Sequence, residues 1–348
     1  MTRSICKGAL IATTALFTLA LPGLAQEAFD GPKDGPKAAE GKSIVVLASD
    51  MKNGGILGVV TGMEEAAGRL GWEVKALDGA GSVQSRAAAV GQALALKPDG
   101  LAIIGFDAAE QQASLDEVVK AGIPIVAWHS GPKIGCDAPG GIFANVSTEA
   151  MDVSAKAAQW ALSEAEGKPG VVIFTDSTYE IAVQKAEKMR EIIEAGGGTV
   201  LQWVDTPIAE TSTRMGPLTT TLLQQHGPAW THSLAINDLY FDFMGPSLAA
   251  AGIDGRGQPR NGSAGDGSEA AFQRIRSGQY QAVTVAEPLN LQGWQLVDEL
   301  NRALQGAPCS GYITAPALVT EEALGASEGN AFDPQNGYRE AYAAIWGK

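Results

Sequence analysis

Redox or metal-assisted chemistry would show first in the histidines, cysteines and glycine-framed loops, and their spacing here supports none of it. His129, His226 and His232 stand apart, without a second ligand at zinc-like spacing. No Gly-x-x-x-x-Gly-Lys loop cradles a phosphate, and no Cys-x-x-Cys is present. Gly54, Gly55, Gly58 and Gly62 follow an apolar run but miss the Gly-x-Gly-x-x-Gly spacing of a dinucleotide site. No catalytic residue, metal site or cofactor is therefore expected. A different set of residues stands out, all placed just after short apolar runs. These are Asp50 and Asn53, Asp107, Trp128 with His129, Asp176 with Tyr179, Asn237 and Asp238 with Tyr240, Asp266, and Glu287. Carboxylates and amides offer paired atoms to neighbouring hydroxyls, and an aromatic face covers the C–H side of a polyhydroxy ring. The competing reading is local: Asp and Asn at such points also cap the helix that follows. Asp50, Asp107, Asp176 and Asp238 suit that role well, Trp128 suits a core, and His129 a satisfied buried histidine.

The runs that position these residues alternate in kind. Ile-Val-Val-Leu-Ala within 43–49 is β-branched and apolar, as a strand buried on both faces must be. After it, Ile56, Val60, Met63, Ala67 and Leu70 recur at helical spacing, with Gly71 placed to end the helix. The alternation continues with strands at 72–77, 101–104 and 123–128 and helices at 83–96 and 109–121. Past a Gly/Pro-rich stretch, 131–141, a second series begins. Its strands fall at 171–175, 199–204, 233–237, 262–265 and 281–285, and its helices at 149–163, 179–195, 213–225, 241–251 and 268–277. A helix at 291–304, a strand near 312–319 and a helix at 336–346 follow. Strand–helix alternation of this kind predicts two α/β lobes with parallel sheets, and sites on such sheets gather at the carboxyl ends of the strands.

Arg3 and Lys7, the apolar stretch 9–21, and Pro22-Gly23 leading to Ala25 have the order of a secretory signal peptide cut after Ala25. The apolar stretch is shorter than the roughly 20 residues of a spanning helix. Residues 26–41, rich in Pro, Gly, Lys and Asp, read as a mobile leader. A net charge of −14 disfavours nucleic acid, whose phosphates such a surface repels. Beyond the signal only Cys136 and Cys309 are left, which permits one disulfide or two buried thiols. Export and the position of both after first-lobe elements favour the bridge.

Several stretches in order resemble the ribose- and galactose-binding proteins of sugar ABC importers. They are 42–72, Ala121-Gly-Ile-Pro-Ile-Val-Ala-Trp128, Leu222-Leu223-Gln-Gln-His with Ala235-Ile-Asn-Asp238, Ala264-Gly-Asp-Gly-Ser268, and 275–287. The resemblance implies a type I periplasmic binding protein: two Rossmann-like lobes with parallel sheets, joined by a three-segment hinge near 142–145, 286–289 and 314–316. Residues 42–143 plus 288–314 form lobe one under this scheme, and 144–287 plus 315–348 form lobe two. It implies a monomer in the periplasm that captures a sugar, polyol or similar molecule and presents it to an ABC permease. The alternative is a sensor subunit feeding a chemoreceptor or kinase. A repressor of this fold would carry DNA-binding helices where the signal peptide stands. Asn237, Asp266 and Glu287 carry over as ligand contacts, with Asn53, Asp107, Trp128, His129 and Tyr179 as further candidates. Departures bear on the ligand. The family's Asn-Pro-Phe-Phe is Asn53-Gly54-Gly55-Ile56 here, its Asp-Arg is His129-Ser130, an expected arginine falls near Val183, and its Gln is Glu287. Without two rigid guanidinium forks, ribose is disfavoured. A neutral or amine-bearing polyhydroxy ligand is expected, and an anionic one only if Lys52 or Lys185 turns inward.

Overall fold

A computed structural model describes residues 28–324 and 332–348. The expected signal peptide lies outside the described residues. The first series runs β1 (Ser43–Ala48), α1 (Gly54–Leu70), β2 (Glu73–Asp78), α2 (Val83–Leu96), β3 (Gly100–Ile104), α3 (Gln112–Lys120), β4 (Ile125–Trp128), β5 (Gly135–Ala138) and β6 (Ile142–Val146). These strands form one sheet in the order β2-β1-β3-β4-β6-β5, parallel except for β5 at the edge. The second series is α4 (Ala150–Glu164), β7 (Gly170–Thr175), α5 (Glu180–Ala195), β8 (Thr199–Asp205), α6 (Thr211–His226), β9 (His232–Ala235), α7 (Leu239–Asp242), α8 (Gly245–Ala250), β10 (Arg260–Ser263), α9 (Glu269–Ser277) and β11 (Val283–Ala286). Helix α10 (Leu289–Leu304) returns to the first lobe, and β12 (Ala317–Thr320) goes back to the second. There it pairs antiparallel with β11 in a sheet ordered β12-β11-β10-β9-β7-β8. Short α11 (Glu321–Leu324) and α12 (Tyr338–Trp346) complete the described chain.

Both sheets are apolar because helices cover both faces; β3, β7 and β9 are buried at every position. Each fully buried Val, Leu or Ile there contributes about 1.5–3 kcal/mol relative to exposure. None of the described helices is long and apolar enough to cross a membrane.

Four features differ from the sequence expectation. The hairpin β5–β6 forms inside and beyond the Gly/Pro-rich stretch, so the first passage between lobes falls at 147–149 rather than 142–145. The helix expected over 241–251 is broken into α7 and α8, with Pro246 opening the second piece. Residues 28–41 are not loose. Phe29 is buried against the rings of Tyr312 and Tyr342, Ala39 accepts from the Trp72 indole at 2.7 Å, and its amide donates to Asn301 at 2.9 Å. Composition concealed this because one ring and a few main-chain groups make the attachment. Finally, α12 packs on the first lobe: Tyr338, Tyr342 and Trp346 close over Trp294 of α10, with the two indoles stacked at 5.4 Å. The chain therefore passes between lobes again before residue 338, beyond the three passages of the hinge.

Candidate functional site

The two lobes meet along the carboxyl ends of their strands. From the first lobe, Trp128 ends β4, His129 follows it, and Asn53 stands between β1 and α1. From the second, Asn237 follows β9, Asp266 follows β10, and α5 contributes Lys185 just beyond Tyr179. Together these seven side chains line a cavity of about 80 Å³, whose remaining wall includes Ile56, Ile181, Ile208 and Ile236. The lobes are closed on it. A Cβ on Gly55 would lie 2.5 Å from the Asp266 carboxylate, and one on Gly54 would lie 2.7 Å from Ser268 Cβ. A larger groove of about 540 Å³ runs along the outer side of the same contact.

Charge is unevenly held in this pocket. His129 adopts φ of 50°, an unusual conformation for a side-chain-bearing residue and one enriched at working sites. Its Nε2 lies 3.0 and 3.1 Å from the two oxygens of Glu287. Glu287 is wholly buried and also accepts from Gln292 Nε2 at 2.9 Å and the Thr148 amide at 3.3 Å. Burial works to raise its pKa, but His129, Lys185 and Gln292 outweigh that and hold it down at about 2. Asp266 is the opposite case. Burial raises its pKa to about 6, helped by Glu287, while Lys185 only partly offsets the effect. Its carboxylate has no hydrogen-bond partner among the described residues. Lys185, itself buried, donates to the Ile236 carbonyl at 3.0 Å and keeps two N–H groups for the cavity.

The sequence candidates divide accordingly. Asn53, Trp128, His129, Tyr179, Asn237 and Asp266 come together. Glu287, expected to touch the ligand, instead sits behind His129 and is absent from the cavity lining, its Oε2 held by His129, Gln292 and the Thr148 amide. Asp107 is not in the cavity: it accepts from the Ala109 amide at 2.9 Å and faces Ser177 and Thr178 in a separate depression. Asp50 accepts from Lys52 N, Asp176 from Thr178 and Ile208 amides, and Asp238 from the Gly267 and Ser268 amides, as caps and turn locks do. Lys185, which the sequence admitted only conditionally, does turn inward. Its signal was present: Ala182, Lys185, Ala186 and Met189 form one buried stripe of α5, and a lysine in such a stripe needs a reason. Gln292, buried in α10 and accepting from Trp128 Nε1 at 2.8 Å, was missed altogether.

Residues 44–308 match the family model described as a periplasmic binding protein domain. The chain belongs to this family. Solved structures agree in fold. A periplasmic binding protein of an arabinose ABC transporter from Shewanella sp. ANA-3, bound to L-arabinofuranose, superposes with a TM-score of 0.71 at 16% identity, covering 87% of this chain and 95% of that one. An ABC transporter solute-binding protein from Agrobacterium vitis with bound allitol gives 0.69 at 18% identity, covering 82% and 97%. A periplasmic ribose ABC transporter protein from Conexibacter woesei gives 0.66 at 17% identity, covering 85% and 96%. Comparison with curated proteins finds no match. Periplasmic binding proteins are binding proteins rather than enzymes, and the family implies a periplasmic location. Their two-lobed architecture, with mostly parallel six-stranded sheets, is the one described above.

Proposed function

We propose that this periplasmic binding protein is the solute-capturing subunit of an ABC importer, and that its ligand is a neutral polyhydroxy compound, a sugar or polyol. One observation carries the reading. Lys185 and Asp266 both face the cavity from the second lobe, both buried, without pairing directly. A hydroxyl placed between them accepts from Lys185 and donates to Asp266 at once. An ammonium group lacks the acceptor, and a carboxylate lacks the donor. Asn53 and Asn237 engage their carbonyls with backbone amides, leaving NH₂ donors for further hydroxyls. The Trp128 face supplies the apolar surface that C–H groups of such a molecule need. The cavity is too small to admit a ligand without hinge opening, so capture is by closure and the closed form is what a membrane permease receives. Export follows from cleavage after Ala25. A thermal-shift screen of sugars, polyols, nucleosides, amines and organic acids tests the ligand class. A ligand at about 100 times its Kd adds roughly 2.7 kcal/mol. Neutral hydroxyl compounds should raise the melting temperature; a response confined to organic acids would sink the proposal.

A further inference from the structure

At the base of the cleft, one pair of side chains touches all three segments of the hinge. Glu287 lies in the second hinge segment, between β11 and α10, and Gln292 lies one turn into α10. Both are wholly buried. Glu287 Oε2 accepts from the Thr148 amide of the first hinge segment at 3.3 Å and from Gln292 Nε2 at 2.9 Å. The same Gln292 Nε2 donates to Thr314 Oγ1 of the third hinge segment at 2.9 Å. Upward, Gln292 Oε1 accepts from Trp128 Nε1 at 2.8 Å, and Glu287 grips His129. Trp128 and His129 are the two cavity side chains carried by the end of β4.

We infer that Glu287 and Gln292 are positioning residues that join the cleft to its hinge, holding the three hinge segments in one arrangement while fixing the ring of Trp128 and the imidazole of His129. The physical reason is satisfaction of buried polar groups. Both ends of the Gln292 amide and Oε2 of Glu287 have protein partners, drawn outside the pair from Trp128, His129, Thr148 and Thr314. A rotation of the lobes that displaces one hinge segment therefore strands a polar group in a site that water does not reach. The pair thus makes closure concerted, and it ties that closure to the residues that touch the ligand. This rests on the cleft being the binding site, yet its central claim concerns the hinge and is testable without a ligand.

Hydrogen exchange on the unliganded, disulfide-intact protein is the experiment. Gln292→Met keeps the volume and removes all three amide contacts. It should speed exchange at 147–149 and at 313–316 together by about tenfold or more, the factor expected for one lost buried hydrogen bond. The strands β3 and β7 should keep their protection, which separates this effect from general loosening. Thr314→Val added to Gln292→Met should cause little further change at 147–149. Glu287→Gln, which keeps an acceptor for the Thr148 amide, should preserve most of the protection that Glu287→Leu loses. If Gln292→Met loosens α10 but leaves the first hinge segment unchanged, or if the two substitutions act additively, the junction does not exist. If Gln292→Met does not fold, Thr314→Val alone decides: faster exchange at 147–149 supports the junction and an effect limited to 313–316 overturns it.

Discussion

Asp266 holds an ionisable group where burial resists its charge, and this sets stability against binding at one residue. Its proton is held up to pH of about 6, so at pH 8 the folded protein carries an unpaired buried carboxylate. Asp266→Asn should therefore raise the melting temperature of the unliganded protein at pH 8. The same change removes the strongest acceptor in the cavity, and hydrogen bonds to charged groups contribute about 1.5–3 kcal/mol. Affinity for a sugar or polyol found in the screen should fall by roughly 10- to 150-fold in calorimetric titration. A variant that binds as the wild type does would remove Asp266 from the site. Lys185→Met tests the opposing donor: it should also weaken a neutral ligand. A gain in affinity would show that the lysine's charge opposes the ligand rather than serving it. Trp128→Phe keeps the apolar face but frees Gln292 Oε1, so it should quench ligand-linked fluorescence with a smaller affinity loss.

At the scale of elements, the start of α1 controls how far the lobes approach. Asn53 caps it by accepting from Gly55 N at 2.8 Å and Ile56 N at 3.3 Å, which sets the two glycines against Asp266 and Ser268. Gly55→Ala would place a methyl carbon inside the contact distance of the Asp266 carboxylate, and the helix would tolerate it readily. The expected result is an intact fold with a larger radius of gyration in X-ray scattering and weaker binding. An unchanged radius and affinity would mean that Asp266 simply rotates aside. Elements whose pattern is local were legible in the sequence. The apolar run of β1 and the stripe of α1 lie close to where they were read, as do the other parallel strands except β6, whose residues were read as a hinge segment. What was hidden depends on distant partners. Strand β5 is Gly-Cys-Asp-Ala, polar and short, and exists because β6 pairs with it. The destination of α12 was set by Trp294, which no local pattern reveals. Asp266, His129 and Trp128 were legible by position after strands. The layering that puts Glu287 behind His129 was not, since it depends on Thr148 and Gln292 arriving from other segments.

For the whole molecule, one covalent link and a set of buried carboxylates shape stability and its pH dependence. Cys136 of β5 and Cys309 beyond α10 are joined with Cα atoms 5.9 Å apart, and both belong to the first lobe. The bond ties two first-lobe segments 173 residues apart and so closes a long loop that contains most of the second lobe, which typically contributes about 2–4 kcal/mol through restriction of the unfolded chain. Replacing both with serine should lower the melting temperature and leave ligand affinity unchanged, because the disulfide joins two segments of one lobe and does not bridge the lobes. Titration of the denatured, unreduced protein should find no free thiol from this pair. The pH dependence follows from groups of opposite sign. Burial pushes Asp266 to about 6 and Glu299 to about 7, the latter despite its hydrogen bonds from Ser310. Both bind protons more tightly folded than unfolded, so the stability they contribute is complete below the ordinary carboxylate range and is lost as pH rises through 6 and 7. Glu287 works in the other direction: its contribution is present above its ordinary value of 4.5 and is lost as pH falls toward about 2. The losses begin at the ordinary values of 3.8 and 4.5, so the melting temperature should peak at about pH 4 to 4.5 and be lower by about 5 °C or more at pH 8. Glu299→Gln combined with Asp266→Asn removes the two carboxylates with the largest upward shifts, leaving the smaller burial-driven rises of Asp242 and Asp298. Scanning the double variant from pH 5 to 8 should give a clearly shallower decline in melting temperature than the wild type shows. A decline as steep as that of the wild type would mean that other groups titrate on unfolding and that these two carboxylates sit in wetter surroundings than their burial implies.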